Sequence, residues 1–178
     1  MRKLVYYVAC SVDGFIAHRD GSWEGFLPEG DHVEDYLASL ERFDAVLMGR
    51  RTYEVGLREG KTDPYPTMAS FVFSRSMAES PDERVTLVSE GGAERVRELK
   101  AREGRDVYLC GGSELASDLA REGLIDELAL KLHPFVMGAG IPLLSPATGL
   151  MRLRPLERKP YASGVLLQRF AVEHAPDG

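Results

Sequence analysis

Residues 106–130, DVYLCGGSELASDLAREGLIDELAL, leave this chain few choices of fold. Asp106-Val107-Tyr108-Leu109-Cys110 has the length and β-leaning side chains of a buried strand. Gly111-Gly112 follows at once. Ser113 then opens a run with helical spacing, in which Leu115, Leu119 and Leu124 are apolar and Glu114, Asp118, Arg121 and Glu122 polar. Ser113 suits the N-cap, because its hydroxyl takes an otherwise unpaired backbone N–H. Gly123 stops the helix, and residues 125–130 form the next predicted strand. Two glycines at a helix N-terminus let a ligand approach bare backbone, where N–H groups and the helix dipole favour an anionic oxygen. A tight turn that needs glycine for its dihedrals is the plainer alternative. These residues alone leave both open.

The rest of the chain repeats the alternation. Residues 2–10 are nearly all apolar and predict a central strand buried on both faces. Asp13-Gly14 is a turn signal, with a short apolar return at 15–17. Residues 18–30 form a loop broken by Gly21, Gly25, Pro28 and Gly30, and Trp23 in it either lines a pocket or anchors the loop. Asp31 caps a helix running to about Arg42, with Val33, Tyr36, Leu37 and Leu40 on one face. The strand at 43–48 runs into Gly49-Arg50-Arg51-Thr52, a second strand-glycine-helix junction. Two cations in a first helical turn oppose the dipole, and an arriving anion would explain them. A strand at 70–74 ends in Ser74-Arg75, a hydroxyl and a guanidinium that suit a phosphate. A strand at 85–89 and a helix at 93–103, carrying Val96 and Leu99, come next. After the organising stretch, residues 131–136 extend the strand into a glycine-bearing loop at 137–142, and His133 reads as structural, with a substrate contact as the alternative. Residues 150–158 and 164–173 close the chain, the latter as a terminal strand.

Alternating strand and helix implies an α/β fold with a largely parallel sheet. The late strands lack helices between them, so an antiparallel hairpin is expected at one edge. With 178 residues, 44% of them hydrophobic, and no repeat or linker, residues 1–174 read as a single domain and 175–178 as a tail. A formal net charge of −6 without a basic run argues against nucleic acid and anionic membrane as partners. The apolar run at 4–10 is too short for a signal peptide or a membrane span, so a cytoplasmic protein is expected. Cys10 and Cys110 lie in predicted strands without metal-ligand spacing, which predicts buried free thiols and no metal site. Three strand ends carry anion chemistry: 49–52, 74–75 and 111–113. Ligands of open α/β sheets gather at the carboxyl ends of strands, so a ligand with several phosphates, such as a dinucleotide, is expected there. Neither a Gly-x-Gly-x-x-Gly after the first strand nor a P-loop lysine is present.

Five segments, in this order, carry a family likeness: Ser11-Val12-Asp13-Gly14-Phe15-Ile16-Ala17, Val46-Leu47-Met48-Gly49-Arg50-Arg51-Thr52-Tyr53-Glu54, Val72-Phe73-Ser74-Arg75, Leu109-Cys110-Gly111-Gly112-Ser113-Glu114-Leu115, and residues 134–143. The pattern resembles the dihydrofolate reductase-like superfamily, in the branch of the C-terminal reductase domain of bacterial riboflavin biosynthesis. The resemblance implies a three-layer α/β/α fold with a mixed, mostly parallel central sheet that binds NADPH along one edge. It places Gly49, Arg50, Arg51 and Thr52 at the cofactor phosphates, and Ser74 and Arg75 at the adenosine 2′-phosphate. Gly111, Gly112, Ser113 and Glu114 would hold the pyrophosphate, with a cis peptide between the glycines, while Ala9 and Ile16 would offer backbone groups to the nicotinamide carboxamide. Many members are homodimers, which the apolar terminal strand would suit.

Two departures bear on the substrate. Dihydrofolate reductases carry an acid near the start of the first helix, and Asp31 is the candidate here, with Asp35 one turn on and Trp23 as a pocket wall; a helix cap is the alternative for Asp31. The arginine that clamps the folate glutamate in that family corresponds to Met68. The implied activity is therefore NADPH-dependent reduction of a small pyrimidine- or pterin-like heterocycle, such as the riboflavin-pathway intermediate 5-amino-6-(5-phosphoribosylamino)uracil, and not of dihydrofolate. A non-catalytic NADP(H)-binding module or sensor, and a flavin- or quinone-type reductase, are the alternatives on the same fold.

Overall fold

In the computed structural model, which describes residues 1–174, the first apolar run forms β1 (Leu4–Ser11) at the centre of an eight-stranded sheet. The sheet order is β5 (Val85–Val88), β4 (Ala69–Phe73), β3 (Phe43–Gly49), β6 (Asp106–Gly111), β1, β7 (Glu127–His133), β10 (Leu166–Glu173) and β9 (Arg152–Pro160). Strands β5 through β7 in that order run parallel, and β10 and β9 add antiparallel. A separate two-stranded ribbon pairs β2 (Phe15–Ala17) with β8 (Ile141–Pro142). The mixed, mostly parallel sheet and the late hairpin are those expected. The terminal strand, however, lies inside the sheet, and β9 covers it as the edge. The expected tail at 175–178 lies outside the described residues. No helix among the described residues is long and apolar enough to cross a membrane.

Strand alternation sends side chains to two cores. On one face Leu4, Tyr6, Leu47 and Leu109 meet Val96 and Leu99 of α3 (Gly92–Ala101) and Ala116 and Leu119 of α4 (Ser113–Arg121). On the other, Val5, Tyr7, Val46 and Tyr108 meet Tyr36 of α1 (Asp31–Ser39) and Tyr53 of α2 (Arg50–Arg58). Each fully buried aliphatic side chain stabilises the fold by about 1.5–3 kcal/mol relative to exposure. The layers are thus helix, sheet, helix.

Local detail departs from the sequence reading in three places. Helix α1 buries His32 rather than Leu37, which is 58% exposed. The His32 Nε2 donates to the Leu27 carbonyl at 3.1 Å, while the buried Nδ1 has no partner among the described residues. Strand β7 starts at Glu127, since Asp126 turns its carboxylate to accept from Leu4 N–H at 2.7 Å. The cysteines, expected as buried free thiols, are both free, but only Cys10 is buried; Cys110 is half-buried, and alternation sets the two on opposite faces of the sheet.

Candidate active site

Strands β3 and β6 are neighbours, with Met48 opposite Gly111, so the two glycine junctions end side by side. The peptide between Gly111 and Gly112 is cis. A Cβ on Gly49 would stand 3.4 Å from the Gly112 nitrogen. A Cβ on Gly112 would meet only the Thr52 hydroxyl oxygen within 4 Å, also at 3.4 Å, so the cradle beside it is open. Gly49 and Gly112 are the N-caps of α2 and α4, and neither helix start has a side-chain cap hydrogen bond. The expectation that Ser113 caps α4 is therefore corrected. Ser113 is the first helical residue, is buried, and its carbonyl accepts from the Ser117 hydroxyl at 2.6 Å. Uncapped first turns of two helices, which leave adjacent strands on opposite faces of the sheet, line a cleft of about 1900 Å³ along the carboxyl ends of the strands.

The cationic residues at this edge divide. Arg50 is held, its Nε donating to Glu54 and its guanidinium to the Ser76 hydroxyl, each at 2.6 Å. Arg51 and Arg75 are exposed, line the cleft, and make no ion pair or side-chain hydrogen bond among the described residues. The Ser74 oxygen accepts from Ser76 and Met77 N–H at 3.3 and 3.0 Å, which leaves its O–H as a donor. Glu114 is exposed in the first turn of α4, where its carboxylate suits the dipole but would repel a phosphate, so only its backbone N–H fits the expected role. An open glycine cradle, two bare helix starts and two unpaired guanidiniums fit the phosphates of a dinucleotide.

At the β1 end, Ile16 and Val8 line the cleft, while half-buried Ala9 pairs with Lys131 of β7. A Cβ on Gly140 would lie 2.4 Å from the Ala17 carbonyl oxygen, so glycine is required where the two loops touch. Asp13, read from sequence only as a turn residue, latches these loops. Its carboxylate accepts from Met137 and Gly138 N–H at 3.0 and 2.7 Å and from the Ser11 hydroxyl at 2.6 Å. Those bonds, that of Met137 first, hold the carboxyl down at about 2.

The structure does not bring Asp31 to the cleft. Its carboxylate is in solvent and accepts from Ala162 N–H at 2.7 Å and Ser163 N–H at 3.3 Å, in the turn between β9 and β10. These bonds, that of Ala162 first, hold its pKa below the usual carboxylate value, the reverse of what a proton donor needs. Asp35 is engaged by Lys159 at 2.6 Å and by the Tyr161 hydroxyl. Trp23 stands at the cleft rim, 53% exposed. Met68 is buried in the core, with no cation at the position where a folate carboxylate would be clamped.

Sequence reasoning missed two groups. His32 and His133 grip the Leu27 peptide from both ends, Nδ1 of His133 accepting from its N–H at 3.2 Å. Burial, then the neighbouring His32 and Lys131, push the His133 imidazole down to about 4. The second group is aromatic. Tyr36 bonds Tyr108 at 2.9 Å and Tyr65 at 3.2 Å, Tyr65 touches the Cys110 thiol at 3.4 Å, and Lys131 lies over the Tyr36 ring. A lysine within the otherwise apolar strand residues 128–132 was the one available signal.

The family model for the RibD C-terminal domain matches residues 2–167. The chain belongs to that family. It is 37% identical over 169 residues to the Bacillus subtilis protein YwjB, described only as uncharacterised, covering 93% of this chain and 96% of that one. It is 29% identical to the riboflavin biosynthesis protein RibD of Corynebacterium ammoniagenes, over 81% of this chain and 47% of that protein. Among solved structures, a protein of Shewanella sp. PV-4 ascribed to riboflavin biosynthesis superposes with a TM-score of 0.83 at 25% identity, covering 98% and 100% of the two chains. Dihydrofolate reductase from Enterococcus faecalis, complexed with NADP(H), shares the fold with a TM-score of 0.66 at 16% identity, over 97% of each chain. The chain is thus a RibD reductase-like domain on a dihydrofolate reductase-like fold.

Proposed function

We propose that this chain is an NADPH-dependent reductase of a small pyrimidine- or pterin-like heterocycle, of the kind found in riboflavin synthesis. The observation that carries the reading is the convergence of two uncapped helix starts, at Gly49 and Gly112, with the unpaired guanidiniums of Arg51 and Arg75. Ser74 and Arg75 at the end of β4 would hold a 2′-phosphate, and Gly111 to Glu114 the pyrophosphate through backbone N–H groups. Backbone groups of Ala9 and Ile16 would orient the nicotinamide. Bound there, the cofactor supplies a hydride, and the protein's contribution is to fix the acceptor beside it and exclude water. Buried Met68 weighs against dihydrofolate as substrate.

A second reading, an NADP(H)-binding module without catalysis, is favoured by the diversion of Asp31 to the hairpin turn. Fluorescence titration with NADPH and NADH, followed by turnover assays on 7,8-dihydropterin and dihydrofolate, tests both. Preferential NADPH binding with pterin turnover supports the reductase; binding without turnover of any heterocycle supports the module. Equal binding of both nicotinamide cofactors would remove the basis of either.

A further inference from the structure

Strand alternation places Ala9, Cys110 and Lys131 on one face of the sheet, on three adjacent strands, one step beyond Tyr7, Tyr108 and Ala129. Tyr36 of α1 and Tyr65 of the loop before β4 cover them. Tyr65 and Cys110 also line the cleft, so this space opens onto its nicotinamide end. The Tyr36 hydroxyl bonds those of Tyr65 and Tyr108, and burial first of all raises the pKa of each, so all three keep their O–H protons.

Lys131 differs from every neighbour. Its ammonium lies 3.9 Å from the centroid of the Tyr36 ring and 5.5 Å from that of Tyr7. It has no hydrogen-bond or ion-pair partner among the described residues, although three N–H donors need acceptors. The titratable groups around it are Tyr7 from β1, Tyr36 from α1, Tyr65 from the covering loop, Tyr108 and Cys110 from β6, and His133 on its own strand. Beyond Tyr7 lie Asp35, Glu157 and Arg169, but no carboxylate pairs with Lys131 among the described residues, Asp35 being engaged by Lys159. An ammonium with neither counter-ion nor acceptor, in a cluster whose Tyr65 and Cys110 line the cleft, lacks the partner that a merely structural lysine would have. Burial pushes its pKa down to about 8, close enough to neutrality for proton donation.

We propose that Lys131 is the substrate-binding and proton-donating residue of this site, taking a planar heterocycle that presents a carbonyl oxygen or imine nitrogen to its ammonium. The proposal rests on the reductase reading given above. As hydride reaches the ring carbon, the C=N or C=O π bond breaks and its electron pair moves to the nitrogen or oxygen. That atom takes a proton from the Lys131 ammonium, leaving a neutral amine that regains its proton from water. The nicotinamide is oxidised and the heterocycle reduced by two electrons. Tyr36 and Tyr65 are positioning residues, holding the amine and the ring between them.

The test is competitive acylation by acetic anhydride across a range of pH, read residue by residue by mass spectrometry. Lys3 and Lys61, whose side chains are mostly in solvent, are internal controls. Lys131 is expected to titrate near 8, below the ordinary lysine value of about 10.4. Addition of 5,6-diaminouracil, with and without NADP⁺, is expected to slow its acylation about tenfold or more, the cost of losing a charge-assisted contact. Lys131→Met should fold and melt as the unmutated protein does, bind NADPH equally, and lose affinity for the pyrimidine. An ordinary titration of Lys131, acylation unaffected by the pyrimidine, or undiminished pyrimidine binding by Lys131→Met would each overturn the proposal. NADPH that fails to bind the unmutated protein overturns the reductase reading and with it the proton donation, whereas loss of protection by 5,6-diaminouracil alone overturns the contact at Lys131 whatever the nucleotide does.

Discussion

The two ends of the parallel strands treat charge in opposite ways. At the amino ends every buried or half-buried ion has a partner. Glu127, 1% exposed, takes Arg42 at 2.5 Å and Arg169 at 2.9 Å, and Arg42 also reaches Asp106 at 2.8 Å. Arg2 pairs with Asp44, and Lys100 with Asp126 at 2.7 Å. At the carboxyl ends Arg51, Arg75 and Lys131 have no such partners among the described residues, and α2 and α4 begin there on glycines and, like α1 and α3, without a side-chain cap. Buried ions need partners, whereas water satisfies exposed guanidiniums such as those of Arg51 and Arg75, which stay free to meet an anion. The paired end holds the protein together, and under the proposed function the unpaired end is where the ligand binds.

If that division is right, variants at the two ends should fail in different assays. The largest effect is expected at Glu127→Ala, which strands Arg42 and Arg169 around an emptied buried site. Breaking a buried pair from one side costs about 3–5 kcal/mol, with the lower figure favoured here because both arginines keep a second acid. Urea unfolding should show this loss while NADPH affinity per folded molecule stays unchanged. Gly112→Ala should do the converse. Its φ of −87° suits alanine, and the added methyl meets only Thr52, so melting should hardly move. NADPH binding should fall by about a hundredfold or more, because the methyl occupies the place where phosphate would meet backbone. A large melting shift with normal binding would return Gly112 to being a turn residue.

Arg75→Ala comes next, with a loss of about 1.5–3 kcal/mol for NADPH and little for NADH. Parallel titrations of both cofactors check it; an equal loss for both would move Arg75 away from the 2′-phosphate. A pH effect follows from the histidine grip on Leu27. The folded state holds His133 at about 4, below its ordinary value of about 6.5. The unfolded chain therefore binds more protons between those values. Stability present above about pH 6.5 should decline as pH falls toward 4, by at most about 1.4 kcal/mol per unit from this one group. Unfolding of His133→Asn across the same window should lack that slope.

The carboxyl-end chemistry was largely legible in the sequence, because it depends on local junctions. Gly49-Arg50-Arg51-Thr52 and Gly111-Gly112-Ser113 each announce strand, bare backbone and helix within a few residues, and order alone implies that such ends gather on one edge. The amino-end network was not legible. Glu127, Arg42 and Arg169 are far apart in the chain, and only the sheet order brings them together. The tyrosine and lysine cluster was hidden for the same reason. Tyr36, Tyr65, Tyr108 and Lys131 come from four elements, and no spacing relates them. Ser113 was misread because hydroxyls are favoured N-caps, yet here glycine takes that place and leaves the helix start open.

The smallest effect expected is at Asp31, where sequence and structure disagree most sharply. Its position at the head of α1 suits a proton donor, but a donor needs an apolar site that raises its pKa. Asp31 instead lies in solvent, with its oxygens accepting from the Ala162 and Ser163 backbone and its pKa lowered by those bonds. The role left to it is to fasten α1 to the turn between β9 and β10. Asparagine keeps a carbonyl acceptor of the same size, so Asp31→Asn retains one bond of that kind and loses only charge. Its turnover of 7,8-dihydropterin should therefore match that of the unmutated protein, as should its NADPH affinity, with melting slightly lowered. Placed beside Lys131→Met in one steady-state experiment, it separates two accounts of the proton. Loss of turnover in Asp31→Asn with Lys131→Met still active would restore the carboxylate and require the α1 end of the cleft to close differently when substrate binds.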